Sequence, residues 1–483
     1  MQRHAKFLST LAGLALAAAG CDITLDIEET CTATEVRCDG ESIQTCGADG
    51  RWQEPQACPT GEACMLMDGG MTHCMAPQMS RAPRAIYLGT SDAGAWWVAA
   101  VSPTDGTTLA VTEIAELAAL SGTDAPGWGD AVVGPDGRRV FANARSIGRV
   151  LVLDADTLAV EAVLEVGPTP THIYNPNHGN EIWTHSDVEG SFYIIDAETL
   201  DVAGPLSAAL TASGHGKLVY GEGLGDAYYA TNTNDPGVFP IDGAARTAGD
   251  IINVCGVPCE DDPATVTDET LSLCGGTHDK GYNPATDWVF IQCTGGRGFS
   301  FIDAGDDTVI EDMRPVTGSV AQSPDQRVTL IIDGKRAADQ VQIWNTTAAG
   351  HDGLNFDGYI TVDAPSARGV QFRADGAGWQ AWIPETGGDG LVIADMTTYA
   401  SERIIIGPLT APPGAHHFSR YAAIGSEALA TYDDAGVVVV ATDDQTVTHG
   451  DALPGDVGRV VYIEDAPATG GHDGDDEHAG HDM

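Results

Sequence analysis

From Ala85 onward, short runs of alternating apolar and polar residues are punctuated by glycine, proline and aspartate turns. That period-two pattern predicts half-buried β-strands rather than helices. Residues 129–142 read as a strand, a Gly-Pro-Asp-Gly turn and a second strand; residues 149–158 add a third strand ending in Asp154 and lead into a fourth. The plan recurs over 171–184 and 191–200, with comparable starts near His215, His278, Ser319, Gly369 and His416. Starts lie about 41 to 50 residues apart, except for one step of about 63 that carries an insertion around residues 255–270. Four short strands at this period are one blade of an all-β β-propeller, whose radial repetition leaves few unpaired sheet edges.

Seven full units begin near residue 130. Residues 85–114 add two or three strands without an inner first strand, and residues 458–464 can supply it by pairing the two ends of the chain. Eight four-stranded blades are therefore preferred; seven result if residues 85–110 instead complete the blade begun at His416. The repeated Pro-Asp-Gly turn and the strand ending in Asp resemble the YVTN-type bacterial propellers over roughly residues 85–463. That resemblance implies a fold and leaves the function open, because the architecture hosts enzymes, binders and scaffolds.

The ends have a different texture. Arg3, His4 and Lys6 precede an apolar stretch over 7–19 that is too short to span a bilayer comfortably. It closes on Ala18, Ala19, Gly20 and Cys21, which resembles a bacterial lipoprotein signal and implies a mature chain beginning at lipidated Cys21. The expected organisation is a signal peptide over 1–20, a lipidated tether over 21–30 and a disulfide-rich module over 31–76. A linker over 77–84 and the propeller over 85–463 follow, and a His/Asp-rich tail over 464–483 completes the chain. The lipid would be the sole membrane contact and would place the protein outside the cytoplasm, facing the periplasm or the cell surface.

Cysteine usage agrees with an oxidising compartment. Setting Cys21 aside leaves Cys31, Cys38, Cys46, Cys58, Cys64 and Cys74 in one group and Cys255, Cys259, Cys274 and Cys293 in another. Both groups are even, as disulfide bonding requires. The first group spans too few residues for a hydrophobic core and would be held by its bridges. Charge narrows the partners further: 70 Asp and Glu against 23 Lys and Arg give a net charge of -47, a field that excludes a nucleic-acid role.

Histidine carries the chemistry. His172, His215 and His278 each open the first strand of consecutive units, so they would meet at one mouth of the central channel. Three neutral imidazoles suit zinc, with copper as an alternative. Asp279 is a further candidate ligand or hydrogen-bond acceptor. His416 and His417 open the last full unit and would form a second site or, across a narrow channel, complete the first, while His472, His478 and His481 lie in the acidic tail. His178 and His185 are weaker candidates. The acidic turns at Asp235, Asp261-Asp262 and Asp306-Asp307 are explained by turn chemistry, with calcium as the alternative ligand.

A disulfide between Cys274 and Cys293 would tie the start of an inner strand to the end of the next and hold His278 rigid. Cysteine just before histidine, then a strand ending in Cys293 and a glycine turn, resembles the periplasmic zinc chaperone propellers. That resemblance implies a non-enzymatic carrier that hands zinc to the solute-binding protein of an importer. His278 would be a ligand, Cys274 and Cys293 structural, and the tail histidines a mobile acquisition arm. The chain departs from the pattern in the Gly275-Gly276-Thr277 spacing, in Asp279-Lys280 after the histidine, and in the C-terminal position of the tract.

No Gly-x-Ser-x-Gly elbow, His-Glu-x-x-His helix, phosphate-binding loop or Cys-x-x-Cys-His haem site occurs. The expected function is thus an extracytoplasmic metal-binding lipoprotein rather than an enzyme. The alternative is a surface adhesion or scaffold propeller that binds protein or glycan.

Overall fold

The computed structural model describes residues 36–39, 42–57, 63–66 and 72–75 of an N-terminal unit. In the second unit it describes residues 82–464 apart from 92, 122–124, 177–178, 207–212, 256–274, 294–297, 315–317, 333–339, 346–354, 363–369, 377, 386–388, 408–421 and 434–435. Contacts divide the chain into these two units at Gln78.

In the N-terminal unit, Val36–Asp39, Ser42–Thr45 and Gln56–Ala57 form a three-stranded sheet, and Ala63–Leu66 pairs with Thr72–Met75. The second pair sets Cys64 opposite Cys74 in its backbone register. Cys46 is buried and disulfide-bonded. Cys21, Cys31 and Cys58 lie outside the described residues, as do the side chains of Cys38, Cys64 and Cys74.

In the second unit the described strands form eight sheets, each built on a meander of four antiparallel strands, and Ile252–Asn253 adds a fifth strand to one of them. The first runs Ala131–Val133, Arg139–Ala144, Arg149–Asp154, Val160–Glu165. The first strands of the next six are Pro170–Tyr174, Leu218–Val219, Thr277–Asn283, Ser319–Gln322, Gln371–Asp375 and Ala423–Ile424. The eighth sheet joins the two ends of the unit: Asp456–Ile463 pairs with Arg84–Thr90, followed by Trp96–Val101 and Thr108–Glu113. Both terminal segments therefore lose their free edges, as the sequence pattern anticipates.

Burial follows the order of strands within a sheet. Pro170–Tyr174 and Trp96–Val101 are buried throughout, whereas the fourth strands Thr108–Glu113 and Ser401–Ile405 are largely exposed. Apolar layers fill the spaces between neighbouring sheets. Phe141, Val150 and Val152 meet Ile173, Ile182 and Ile195; Phe290, Phe299 and Phe301 meet Val320, Ile331 and Trp344. Ile86, Leu88 and Trp96 of the closing sheet meet Ala131, Val140 and Leu151 of the first, so the layers run around a ring. This is the architecture of a β-propeller.

A recurrent turn explains why the unit repeats so evenly. The Asp154, Asp196 and Asp395 carboxylates accept from the backbone N–H groups of Thr157, Thr199 and Thr398 at 2.8, 2.8 and 2.6 Å. Leu158, Leu200 and Tyr399 then take left-handed φ values of 58°, 62° and 59° and donate back to the aspartate carbonyls. The aspartate that ends the third strand is thus the hinge into the fourth. One element departs from the strand-only expectation: Ala115–Ser121 is a short helix of good helix formers. Leu117 packs inward, and Ser121 Oγ accepts from Trp96 Nε1 at 2.9 Å. No described helix is long and apolar enough to cross a membrane.

The inserted region brings a correction. Cys293 is bonded to Cys255, not to Cys274. The short strand Ile252–Asn253 pairs with Gly237–Asp242 of the preceding sheet and carries Cys255 to the end of Trp288–Cys293. The bridge therefore ties two neighbouring sheets together instead of two strands of one sheet. Cys259 and Cys274 lie outside the described residues.

Two measurements check this account. Asp196→Ala should lower the unfolding free energy by about 1 kcal/mol, the usual net worth of a hydrogen bond, read by urea denaturation. A chain ending at residue 455 should lose its single cooperative transition, because Arg84–Thr90 is then left as an unpaired edge; an unchanged urea midpoint would count against ring closure.

Candidate metal centre

The inner openings of four consecutive sheets are drawn together by backbone bonds between sheets. The N–H of Asp130 donates to the Thr171 carbonyl at 2.8 Å, that of Gly214 to Asp187 at 2.8 Å, and that of Thr277 to Asn232 at 2.8 Å. Glycine permits this approach: a Cβ at Gly216 would overlap the Thr231 carbonyl oxygen, and one at Gly276 that of Thr233. His172 sits within Pro170–Tyr174, His215 just before Leu218–Val219, and His278 in Thr277–Asn283. Their ligand nitrogens lie within 4.8 Å of one another. The structure thus brings together the three histidines singled out by the repeat.

Two carboxylates orient the rings. Asp130 Oδ2 is 2.6 Å from His172 Nδ1, and both side chains are buried. Asp187 receives His215 Nδ1 at 3.1 Å, His185 Nδ1 at 3.2 Å and the Thr171 hydroxyl at 2.6 Å. A carboxylate only accepts, so each Nδ1 carries the hydrogen and each Nε2 faces away from its carboxylate. The Nε2 atoms of His172 and His215 then face each other at 3.0 Å. His278 stacks on His215 with centroids 4.9 Å apart and an interplanar angle of 25°.

Burial keeps His172 and His185 neutral. Burial pushes His172 well below its ordinary range, against the opposing pull of Asp130, and pushes His185 down against the pull of Asp187. We take the close His172–Asp130 contact as a neutral imidazole donating to a carboxylate. Burial works to raise the Asp187 carboxyl, but the hydrogen bonds from His185, His215 and Thr171 outweigh it and hold the group well below the usual carboxylate range.

Two opposed Nε2 lone pairs repel unless a proton or a cation lies between them. A tetrahedral zinc ion with Zn–N bonds of about 2.0 to 2.1 Å places its nitrogens about 3.3 Å apart. The His172–His215 separation already approaches that span, and His278 lies within a small side-chain adjustment of it. Imidazole backed by carboxylate is the usual arrangement around bound transition metals. The residues fit a borderline divalent cation.

The other predicted residues fall differently. His185 is buried in Glu181–Ser186 on the Asp187 carboxylate and outside the triad. Asp279 lies in the His278 strand, with its side chain outside the described residues. His178, His416, His417, His472, His478 and His481 also lie outside them. Asp306 and Asp307 serve the fold: Asp306 accepts from Thr308, and Asp307 accepts the Tyr229 hydroxyl at 2.7 Å. Sequence reasoning missed Asp130 and Asp187. Asp130 was within reach, since it opens its strand as the histidines open theirs; Asp187 sits in a turn whose direction only the fold reveals.

The buried imidazoles predict a pH effect on the metal-free protein. Their native values lie below those of the unfolded chain, so the unfolded state takes up protons first as pH falls through about 6.5. Stability should be level above pH 7.5 and fall below 6.5 by up to about 1.4 kcal/mol per pH unit per histidine. Asp187 acts in the same direction at lower pH: its carboxyl is also held below its unfolded value, so it contributes stability that is lost only below about pH 4. Urea denaturation from pH 8 to 4.5 should show a shallower decline for His185→Asn than for the wild-type chain.

No known protein family matches the chain, and no curated protein matches it. Solved structures share its fold. Apo AztD from Citrobacter koseri superposes with a TM-score of 0.55 at 15% identity, covering 79% of this chain and 98% of that one. A second Citrobacter koseri AztD structure gives 0.54 at 14% identity with the same coverage. The dihydro-heme d1 dehydrogenase NirN, in complex with DHE, gives 0.54 at 15% identity, covering 77% of this chain and 73% of that one. At such identities the likeness reaches as far as the fold, and the chain is a β-propeller.

Proposed function

We propose that this protein is an extracytoplasmic metal carrier whose propeller holds a borderline divalent cation, zinc first, between His172, His215 and His278. The observation that carries the reading is the facing pair of Nε2 atoms at 3.0 Å, each on a ring whose Nδ1 is committed to a carboxylate. The sequence resemblance to periplasmic zinc chaperone propellers supports it. In this reading the eight sheets are eight blades of one ring, and Cys21 carries the lipid anchor. The tail histidines His472, His478 and His481 capture ions, and a solute-binding protein receives them. A bound ion would supply the positive charge that the facing lone pairs require. Among the described residues, the exposed apolar side chains Leu109, Val188, Val309, Tyr359 and Ile405 belong to different sheets.

Full-length protein without an affinity tag should bind Zn²⁺, with His172, His215 and His278 around it by anomalous scattering. Asp130→Asn should weaken binding by roughly 10- to 100-fold, the usual effect of removing a ligand's hydrogen-bond partner, and His172→Ala by more. Replacing the three tail histidines should slow uptake and leave the propeller site intact. Zinc binding indifferent to His172→Ala would overturn the assignment.

A further inference from the structure

The polar contacts that end in the histidine triad begin one sheet before the carboxylate. Arg459 lies in Asp456–Ile463, the first strand of the closing sheet, and its Nη1 is 3.5 Å from Asp130 Oδ1. Asp130 Oδ2 is 2.6 Å from His172 Nδ1, the Nε2 atoms of His172 and His215 are 3.0 Å apart, and His215 stacks on His278. Arg459, Asp130, His172, His215 and His278 therefore form one arc across five neighbouring sheets.

A β-bulge aims the arginine. In the closing register Val457 faces Gly89 and Arg459 faces Leu88, which makes Gly458 an extra residue. Beyond the bulge the side chains alternate: Val460 and Tyr462 pack away from the first sheet, while Val461 and Ile463 pack against it. Arg459 shares the side of Val461 and Ile463 and so faces the first sheet, where Asp130 lies. Val457 would point the same way in an unbroken strand, yet it packs with Val460 and Tyr462 on the other side. Gly458 also permits a close approach, since a Cβ there would come within 2.8 Å of Trp128 Cδ1. Trp128 precedes Asp130 by two residues and donates its Nε1 to the Gly89 carbonyl at 3.0 Å, seating the closing sheet on the segment that carries the carboxylate.

The Asp130 backbone is already fixed, because its N–H donates to Thr171 and its carbonyl accepts from Asn143 at 2.9 Å. Rotation of the side chain is the freedom that remains. One carboxylate oxygen serves His172 and the other faces Arg459, with the two paired side chains only 2% and 7% exposed. Turning the carboxylate away from His172 would disturb a buried ion pair, which is costly.

We infer that Arg459 is a positioning residue for the metal centre: acting through Asp130, it holds the His172 ring in its ligating orientation and couples occupancy of the site to closure of the ring. This rests on the metal site proposed above. Arg459 itself does not touch the ion.

The test is Zn²⁺ titration of the full chain in competition with a chromophoric chelator. Arg459→Met should weaken binding by about three- to tenfold, less than Asp130→Asn does, because the effect is relayed. Made on top of Asp130→Asn, the same change should alter affinity by less than about twofold, since the carboxylate it acts through is gone. A merely structural arginine would weaken binding by the same factor in both backgrounds. Arg459→Lys, which keeps the charge, should stay within about twofold of wild type. Hydrogen exchange supplies a measurement that needs no substitution and decides the question even where the arginine variants do not fold. Saturating Zn²⁺ should slow amide exchange more in Asp456–Ile463 than in Gln371–Asp375, a first strand outside the arc. Equal protection of both strands would overturn the inference, as would unchanged affinity in Arg459→Met or an undiminished effect in the Asp130→Asn background. Those results leave the metal site standing if His172→Ala removes the zinc signal; a signal that survives His172→Ala overturns the site, and the role of Arg459 falls with it.

Discussion

Pairing of Asp456–Ile463 with Arg84–Thr90 is the constraint on which the rest of the second unit depends. It removes the edges that a linear array of sheets would expose, and it brings the last apolar layer against the first. It also reaches the metal centre. Arg459, paired with Leu88 in the closing register, extends to Asp130, which in turn orients His172. Ring closure and site geometry are thus linked through two buried charges.

The centre itself is built from opposed requirements. Burial favours neutral imidazoles, which a metal requires, while the carboxylates that orient them favour charge. In the chain as folded, burial prevails at His172 and His185, and hydrogen bonding prevails at Asp187. Neutral rings with an ionised carboxylate behind them form a receptive donor set. Each of these carboxylates is in turn approached by a guanidinium, Arg459 at Asp130 and Arg145 at Asp187, in a chain of net charge -47.

Much of the architecture was legible in the chain. The turn after each third strand repeats because Asp154, Asp196 and Asp395 serve as both side-chain and backbone acceptors, a local device visible in one sequence. Convergence of His172, His215 and His278 followed from their common place at the openings of consecutive units. The disulfide was misread because Cys255 precedes an insertion. Its nearness to Cys293 depends on Ile252–Asn253 folding back onto Gly237–Asp242, which no local pattern announces.

The sequence by itself determined the strands, their turns, the period of the repeat and which residues open each inner strand, because these depend on side-chain alternation and local hydrogen bonding. The tertiary structure decided which nitrogen of His172 and of His215 is committed to a carboxylate, that Asp187 serves two histidines at once, and that the buried Arg459 reaches the carboxylate behind His172. Those relations join residues from different sheets, and their strength depends on distance and burial, which exist only once the ring has closed.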